Sequence, residues 1–568
     1  MLMSTMRCPL VLLALLFLLP VRVAQAQALP DAGTLLQQIE KERPVSVPKT
    51  GPAPVAPAAS AATVSGPTVT VATFRFTGNT LLGNDVLANS VAGFLNRPLD
   101  FAELQHAVGA VAEVYRKAGW IVRADLPAQD IQGGIVTIQI VEAVLGAVRV
   151  EGEPPRRIDP RRLQAIVEGA QPKGAPLNGD ALDRALLLIN DVPGVRAKAS
   201  LTQGQGNNET DLLLSFAEPP LVQGEIVVDN TGPRSTGAQR LGGTVVLDSP
   251  LHWGDQWRTQ LVHSEGSDYL RLGFALPIGS GGWRMGASVS GLHYKLVAPE
   301  FASLDGHGTS LNTGLEASYA LIRSRSKNLF VSLAWDHDRF HNELSSRTAS
   351  DYKIDAVSAS LNGYFTDEWV AGGVNVASLT LMQGKVDLAG SPNEVADAGS
   401  TQTAGGFTLV RYVASREQFF SDNVSLFGSL TGQLAGKNLD SAEKFSLGGA
   451  GGVRAYPSGE GSGSEGQVIN LELRARLRDA FTMAGFYDYG QVTVNSNNDF
   501  TTGPALINRY SLKGAGVSVG WTSAFGLNLK AIFARRIGAN PNPTVVGGND
   551  QDGSLTKNRW WVRASLAF

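Results

Sequence analysis

Period-two alternation over the last 350 residues is the feature that most limits what this chain can become. Within LRLGFAL, Leu270, Leu272, Phe274 and Leu276 fall on one face, and Tyr269, Arg271, Gly273 and Ala275 on the other. Such alternation belongs to strands with one apolar and one polar side. Sixteen segments carry it: 222–231, 238–248, 255–264, 268–278, 282–296, 309–322, 328–340, 352–366, 370–384, 403–415, 423–434, 467–478, 481–493, 510–522, 526–536 and 557–568. Most have the length that a tilted membrane strand needs. Past the N-terminus no run of about eighteen apolar residues occurs, which excludes a bundle of membrane helices but not a membrane barrel.

The connections sort by side. The seven even-numbered links hold 6, 3, 5, 3, 7, 2 and 3 residues; the eight odd-numbered links hold 6, 3, 12, 11, 18, 32, 16 and 20. A soluble sandwich has no reason to segregate its loops in this way. A barrel threaded from the periplasm has one, with tight turns inside and long loops outside. The final segment WWVRASLAF places Trp560, Val562, Ala564, Leu566 and Phe568 on one outward face. Since every backbone group in hydrocarbon must be paired, this strand is expected to close against the first and to carry the signal for barrel assembly in Trp560, Val562, Leu566 and Phe568.

Residues 1–26 read as a secretory signal peptide: Arg7, then the apolar run CPLVLLALLFLLPV, then Ala24-Gln25-Ala26. The only cysteine, Cys8, lies in that segment, so the mature chain is expected to hold no disulfide, thiol nucleophile or zinc–thiolate site. Without Arg7 and Arg22, 46 basic residues (48 − 2) face 51 acidic ones, a net charge of −5, and no nucleic-acid partner is expected. Segment 27–44 contains an amphipathic helix capped by Asp31, with Leu35, Leu36 and Ile39 as its apolar stripe; 45–67 is a Pro- and Ala-rich linker. From 68 to 218 the order strand, helix, helix, strand, strand occurs twice, at 68–144 and 145–218, which predicts two tandem α+β domains ahead of a barrel at 219–568.

The longest outer link, 435–466, contains GGVRAYPSGEGSGSEG with a single arginine, Arg454. No GKS or GKT follows, so it is not a phosphate cradle. Two strands on, MAGFYDYGQV places Asp488 between Tyr487 and Tyr489. A carboxylate in that setting is costly unless it faces the lumen and is paired. A 32-residue loop folding back into the barrel would bring Arg454 to it. DHDRFH (336–341) groups Asp336, His337, Asp338 and His341 at metal-like spacing, but its position where the seventh strand meets an outer link reads as a solvated loop. No catalytic constellation, metal set or cofactor site is legible, so an enzyme is not expected.

Arg454 and Tyr456 in VRAY, followed by Phe486, Asp488 and Gly490 in FYDYG, resemble the paired loop-tip and strand motifs of the BamA-like superfamily. With the tandem domains, the helix and linker, and sixteen strands, the chain resembles the TpsB transporters of two-partner secretion, the ShlB/FhaC/HecB family. DNTGPRSTGAQR (229–240) and LLLINDVPGV (186–195) also look like family segments. The resemblance implies an outer-membrane pore with two periplasmic POTRA domains that receive an unfolded TpsA-type exoprotein: an adhesin, a hemolysin, a toxin or a heme-binding protein. It also implies contact with periplasmic chaperones, the outer-membrane assembly machinery and the lipid bilayer. The 27–44 helix would plug the pore and an Arg454–Asp488 pair would lock the loop. Strands 134–143 and 209–218 are the expected sheet edges for the client, the second being preferred. Ala455 stands where the family motif has glycine; if that position needs a positive φ, alanine costs about 1 kcal/mol. The rival reading is a BamA-like insertase, which usually carries more POTRA domains and lacks the helix and linker.

Overall fold

The computed structural model describes residues 29–41, 68–206, 208–478, 480–500, 507–544 and 547–568. The expected signal peptide and the 45–67 linker lie outside them.

Helix α1 (Ala32–Lys41) comes first, with the Thr34 amide donating to Asp31 Oδ1 at 2.8 Å as its cap. The first α+β unit holds β1 (Val69–Thr70), β2 (Thr73–Thr77), α2 (Asn84–Val91), β3 (Pro98–Leu99), α3 (Phe101–Lys117), β4 (Val122–Asp125) and β5 (Ile135–Glu142). A capping box between Asp100 and Glu103 starts α3, whose Leu104, Val108, Val111 and Tyr115 pack on Val136, Ile138 and Ile140. The second unit repeats the order with β6 (Val144–Val150), α4 (Pro160–Ala170), α5 (Gly179–Asp191), β7 (Arg196–Gln203) and β8 (Glu209–Ala217).

The sheet orders are β2-β5-β4 and β6-β8-β7. Both strands expected to offer an edge, β5 and β8, are therefore central. β5 pairs parallel with β2 and β8 with β6, and each pairs antiparallel with the strand before it, so neither has a free side. The edges are β2, β4, β6 and β7.

Sixteen antiparallel strands close a barrel: β9 (Val222–Asp229), β10 (Arg240–Asp248), β11 (Gln256–Ser264), β12 (Ser267–Ile278), β13 (Trp283–Lys295), β14 (His307–Arg323), β15 (Lys327–Leu344), β16 (Arg347–Asp367), β17 (Gly373–Asp387), α6 (Glu394–Ala398) in an outer link, β18 (Gly405–Ser421), β19 (Val424–Ala435), then β20 (Phe445–Ser446) and β21 (Ser462–Gly463) inside the long link, β22 (Glu465–Arg478), β23 (Phe481–Thr493), β24 (Arg509–Thr522), β25 (Leu527–Arg536) and β26 (Asn558–Ala567). Closure runs through β26 and β9 over Arg563–Ala567 and Glu225–Asp229, extended by mutual backbone bonds between Gly224 and Phe568. Trp560, Val562, Leu566 and Phe568 are exposed on the outer face, with Leu270, Leu333 and Leu473 among the exposed apolar residues elsewhere on the wall. Apolar side chains facing outward over so many strands require a hydrocarbon surround.

One outer link differs from expectation. Residues 341–351 are not a loop: β15 and β16 run on to a two-residue turn at Ser345 and Ser346, with φ of +49° and +60°. Two left-handed residues match the twist of a tight hairpin. The extension is polar on its outer face, so it carries no apolar alternation to betray it.

The second α+β unit is docked on the periplasmic turns. Arg323, 3% exposed, donates from Nε and Nη2 to Asp191 at 2.7 and 2.8 Å, and Arg325 grips Asp183. Leu188 packs at Gly282, where an added Cβ would lie 2.8 Å from Leu188 Cδ2.

Candidate functional site

The link from β19 to β22 turns inward instead of out. β20 and β21 pair at its base, and backbone bonds from Val453 to Leu447 (2.8 Å) and from Tyr456 to Val453 (3.0 Å) shape its tip. Glycine is required at Gly452, because a Cβ there would sit 2.0 Å from the Leu447 carbonyl oxygen. The tip is thus a folded object and not a slack thread.

Arg454 is 4% exposed and Asp488 is fully buried. Arg454 donates from Nε to Asp488 Oδ2 at 2.9 Å and from Nη2 to Oδ1 at 2.7 Å, while its backbone amide adds a third bond to Oδ2 at 3.0 Å. Its remaining arm reaches Glu472 Oε1 at 2.5 Å. The guanidinium lies 3.5 Å from the Phe486 ring centroid. Planarity and the fork of donors suit this position to arginine, since lysine cannot span two carboxylates and stack as well. Asn470 Nδ2 completes the cluster, bonding Asp488 Oδ1 at 2.7 Å and the Gly452 carbonyl at 2.9 Å.

Gly490 and Tyr456 frame the same tip. A Cβ on Gly490 would lie 2.9 Å from Val453 Cγ2, so the glycine lets the loop lie against β23. Tyr456 is 1% exposed, beneath the Arg536 guanidinium at 4.4 Å. Ala455 is fully buried and is not among the residues of positive φ, so the backbone cost expected for it does not arise. Its methyl instead faces Gly514, where an added Cβ would lie 2.6 Å away.

Sequence reasoning missed Asn470, Glu472 and Trp561. The first two lie on β22 at alternate positions, on the face opposite exposed Leu471 and Leu473, so period two would have placed them in the lumen. Trp561 Nε1 donates to the Arg454 carbonyl at 2.8 Å. It points inward between outward Trp560 and Val562, which stand away from the Arg454–Asp488 pair.

Helix α1 lies in the lumen. Leu35, Leu36 and Ile39 are buried with Tyr269, Leu292, Tyr294, Phe340 and Tyr352 of the wall. The Ala32 amide bonds Asn342 Oδ1 at 2.9 Å, and Glu40 pairs with Arg271 at 3.1 Å. The helix also touches the inward loop: Gln37 Nε2 bonds the Lys444 carbonyl, and Ser441 Oγ donates to Asp31 Oδ2 at 2.7 Å.

DHDRFH is strand and not loop, inside β15. Alternation sends Asp338 to Asn312 on the inner side and His337 and His341 to Asp355 and Asp351 on the outer. Among the described residues no three His, Cys, Asp or Glu side chains are grouped to hold a metal ion.

Comparison with known proteins points one way. The family model described as haemolysin secretion/activation protein ShlB/FhaC/HecB matches residues 208–522, and the ShlB-type POTRA domain model matches 69–143. The heme/hemopexin transporter protein HuxB of Haemophilus influenzae (strain 86-028NP) is 26% identical over 448 residues, 77% of this chain and 78% of that protein. The outer membrane transporter CdiB of Dickeya dadantii (strain 3937) is 26% identical over 404 residues, 67% of this chain and 68% of its own. The solved structure of CdiB from Escherichia coli superposes with a TM-score of 0.70 at 21% identity, covering 95% of this chain and 99% of that one.

Proposed function

Because the chain belongs to the ShlB/FhaC/HecB haemolysin secretion/activation family, we propose that it secretes a partner exoprotein across the outer membrane, accepting it unfolded at the periplasmic POTRA units and passing it through the barrel. One observation carries the reading: the lumen is filled by two separable pieces of this same chain, α1 and the 436–464 loop, each held by side-chain bonds. A structural barrel has no need of a removable filling. A conduit that must stay shut between clients does.

The steps follow from the geometry. The client is gripped at a sheet edge, because main-chain pairing holds an extended segment with little regard to its sequence. β7 is the edge proposed: it pairs only with β8, and Lys198 to Gln203 are exposed. The second unit that carries this edge is docked on the turns β10–β11, β12–β13 and β14–β15 through Arg157, Arg184 and Asp191. Arrival of the client displaces α1 and then the loop, the Arg454–Asp488 pair acting as the lock that the loop tip must release. Trp560, Val562, Leu566 and Phe568 serve assembly of the barrel and take no part in transport. No nucleotide site is invoked; folding of the client outside the cell supplies direction. The heme/hemopexin transporter among the relatives makes a heme-binding exoprotein the first client to try.

The test is co-expression with a candidate large exoprotein, a heme-binding one first, scored in the medium. Export that depends on this transporter supports the reading. A client retained in the periplasm beside correctly inserted transporter overturns it.

A further inference from the structure

Two further buried carboxylates sit at the outer mouth, away from Asp488. Asp550, in the link between β25 and β26, and Glu460, in the inward loop, are both 0% exposed. Asp550 accepts from Arg536, from Arg559 Nη2 at 3.3 Å and from Asn540 Nδ2 at 2.9 Å. The same Asn540 amide reaches Glu460 Oε1 at 2.8 Å, and the Gln551 amide donates to Glu460 Oε2 at 2.7 Å. Arg536, held by Asp550, is the guanidinium stacked on Tyr456. From the neighbouring β9–β10 link Arg234 donates to the Asp552 carbonyl at 2.7 Å while pairing with Glu300.

We propose that Asp550 is a positioning residue for the inward loop: residues 540 and 549–554 form a strap at the outer mouth that keeps Tyr456 seated, and this strap lifts before a client leaves. The inference rests on the transport reading above. The loop tip then has two fastenings on opposite sides, Arg454 on Asp488 below and Tyr456 under Arg536 above. Arg536 ends wall strand β25, but its partner Asp550 lies in an outer link, so the upper fastening can be loosened without disturbing the wall strands β22 and β23. Asp550 is its pivot. The Nε atoms of Arg536 and Arg559 have no hydrogen-bond partner, and Asp550 is the carboxylate that compensates buried Arg536 while sharing half-buried Arg559 with Asp552. Replacing it with a neutral isostere leaves Arg536 without its carboxylate partner and Arg559 with Asp552 alone, which favours hydration and lifting of the strap.

The first arm uses the full-length protein in planar bilayers. Asp550→Asn is expected to open on the order of tenfold more often than the parent, since an uncompensated buried cation destabilises the closed form. Asp550→Glu keeps the charge and is expected to return towards parental gating, which a merely space-filling role would not give. Gating of Asp550→Asn identical to the parent overturns the proposal. The second arm places cysteines at Glu460 and Gln551, in a chain with one other cysteine, Cys8. They are joined by a short, reducible thiosulfonate cross-linker, with joining read as a gel shift. Joined transporter is expected to lose most export of the client and to regain it on reduction. Full export by the joined form, or failure of the two cysteines to join at all, overturns the strap. If the unmodified parent exports no client, the transport reading fails, and the bilayer arm still judges the strap.

Discussion

Ser441 of the inward loop donates its hydroxyl to Asp31 at the head of α1, at 2.7 Å, so the two pieces that fill the lumen are bonded to each other as well as to the wall. Gln37 adds a second bond to the loop at Lys444. The plug and the loop are therefore coupled, and disturbing one should loosen the other. Deletion of residues 29–41 is expected to raise bilayer conductance and sensitivity to large antibiotics several-fold. Asp31→Asn, which weakens the cap and the Ser441 bond together, is expected to do the same more weakly. Conductance unchanged by the deletion would show that the helix does not obstruct the pore.

The lock is predicted to be arginine-specific. Removing one partner of a buried ion pair costs about 3–5 kcal/mol, because the other charge is left uncompensated. Arg454→Ala and Asp488→Ala are thus expected to abolish or cripple secretion while the barrel still inserts and keeps its heat-modifiable mobility on a gel. Arg454→Lys should recover little, since an ammonium cannot bridge Asp488 and Glu472 while lying on Phe486. Glu472→Gln should be milder than either alanine variant, because Asp488 retains its four donors. Normal secretion by both alanine variants would remove the role assigned to this pair.

These residues also show how much of the site was legible in advance. Arg454 and Asp488 stand out in sequence because each is a lone charge among glycine or aromatic neighbours, and burial gives such charges few options. Glu472 does not, since it lies in LELRAR, where charges look like an ordinary polar face. Only knowing that this face lines a filled lumen turns it into a partner. The sixteen strands were readable wherever the outer face meets hydrocarbon; beyond that band β15 and β16 continue with polar outer positions such as His341 and Asp351, and the pattern goes silent. Sheet order in the α+β units was not readable at all, because β5 and β8 carry the same alternation whether central or at an edge.

The corrected edge yields a sharp prediction. A photo-reactive side chain at Ser200 or Leu201 on β7 is expected to capture the arrested client, whereas one at Leu213 on central β8 is expected to capture several-fold less. Adducts distributed evenly over both strands would mean that the client is not held by strand addition there. Captures confined to β2 or β4 would move the grip to the first unit.

The first α+β unit has an acid-sensitive clasp. Glu142 Oε1 accepts from the Thr80 amide at 2.7 Å, the Leu81 amide at 2.8 Å and Tyr115 Oη at 2.9 Å, fastening the 79–82 turn to α3 and β5. Burial by itself would raise the Glu142 carboxyl, but the bonds from Thr80, Leu81 and Tyr115 outweigh it and hold the group below its usual value of 4.5. Burial, and then Glu142 itself, push the Tyr115 phenol up, so it remains a donor throughout the physiological range. A carboxyl whose folded pKa is depressed contributes stability that is complete above its unfolded value and lost as pH falls through the folded one. Amide exchange at residues 79–82 is therefore expected to stay slow from pH 7 to about 5 and to accelerate below about 4, after correction for intrinsic rates. Glu142→Gln keeps the shape but loses the charge-assisted bonds, so it should exchange faster at pH 7 and show little further change on acidification. A parent and variant with the same pH profile would mean that the turn is held by something other than this carboxylate.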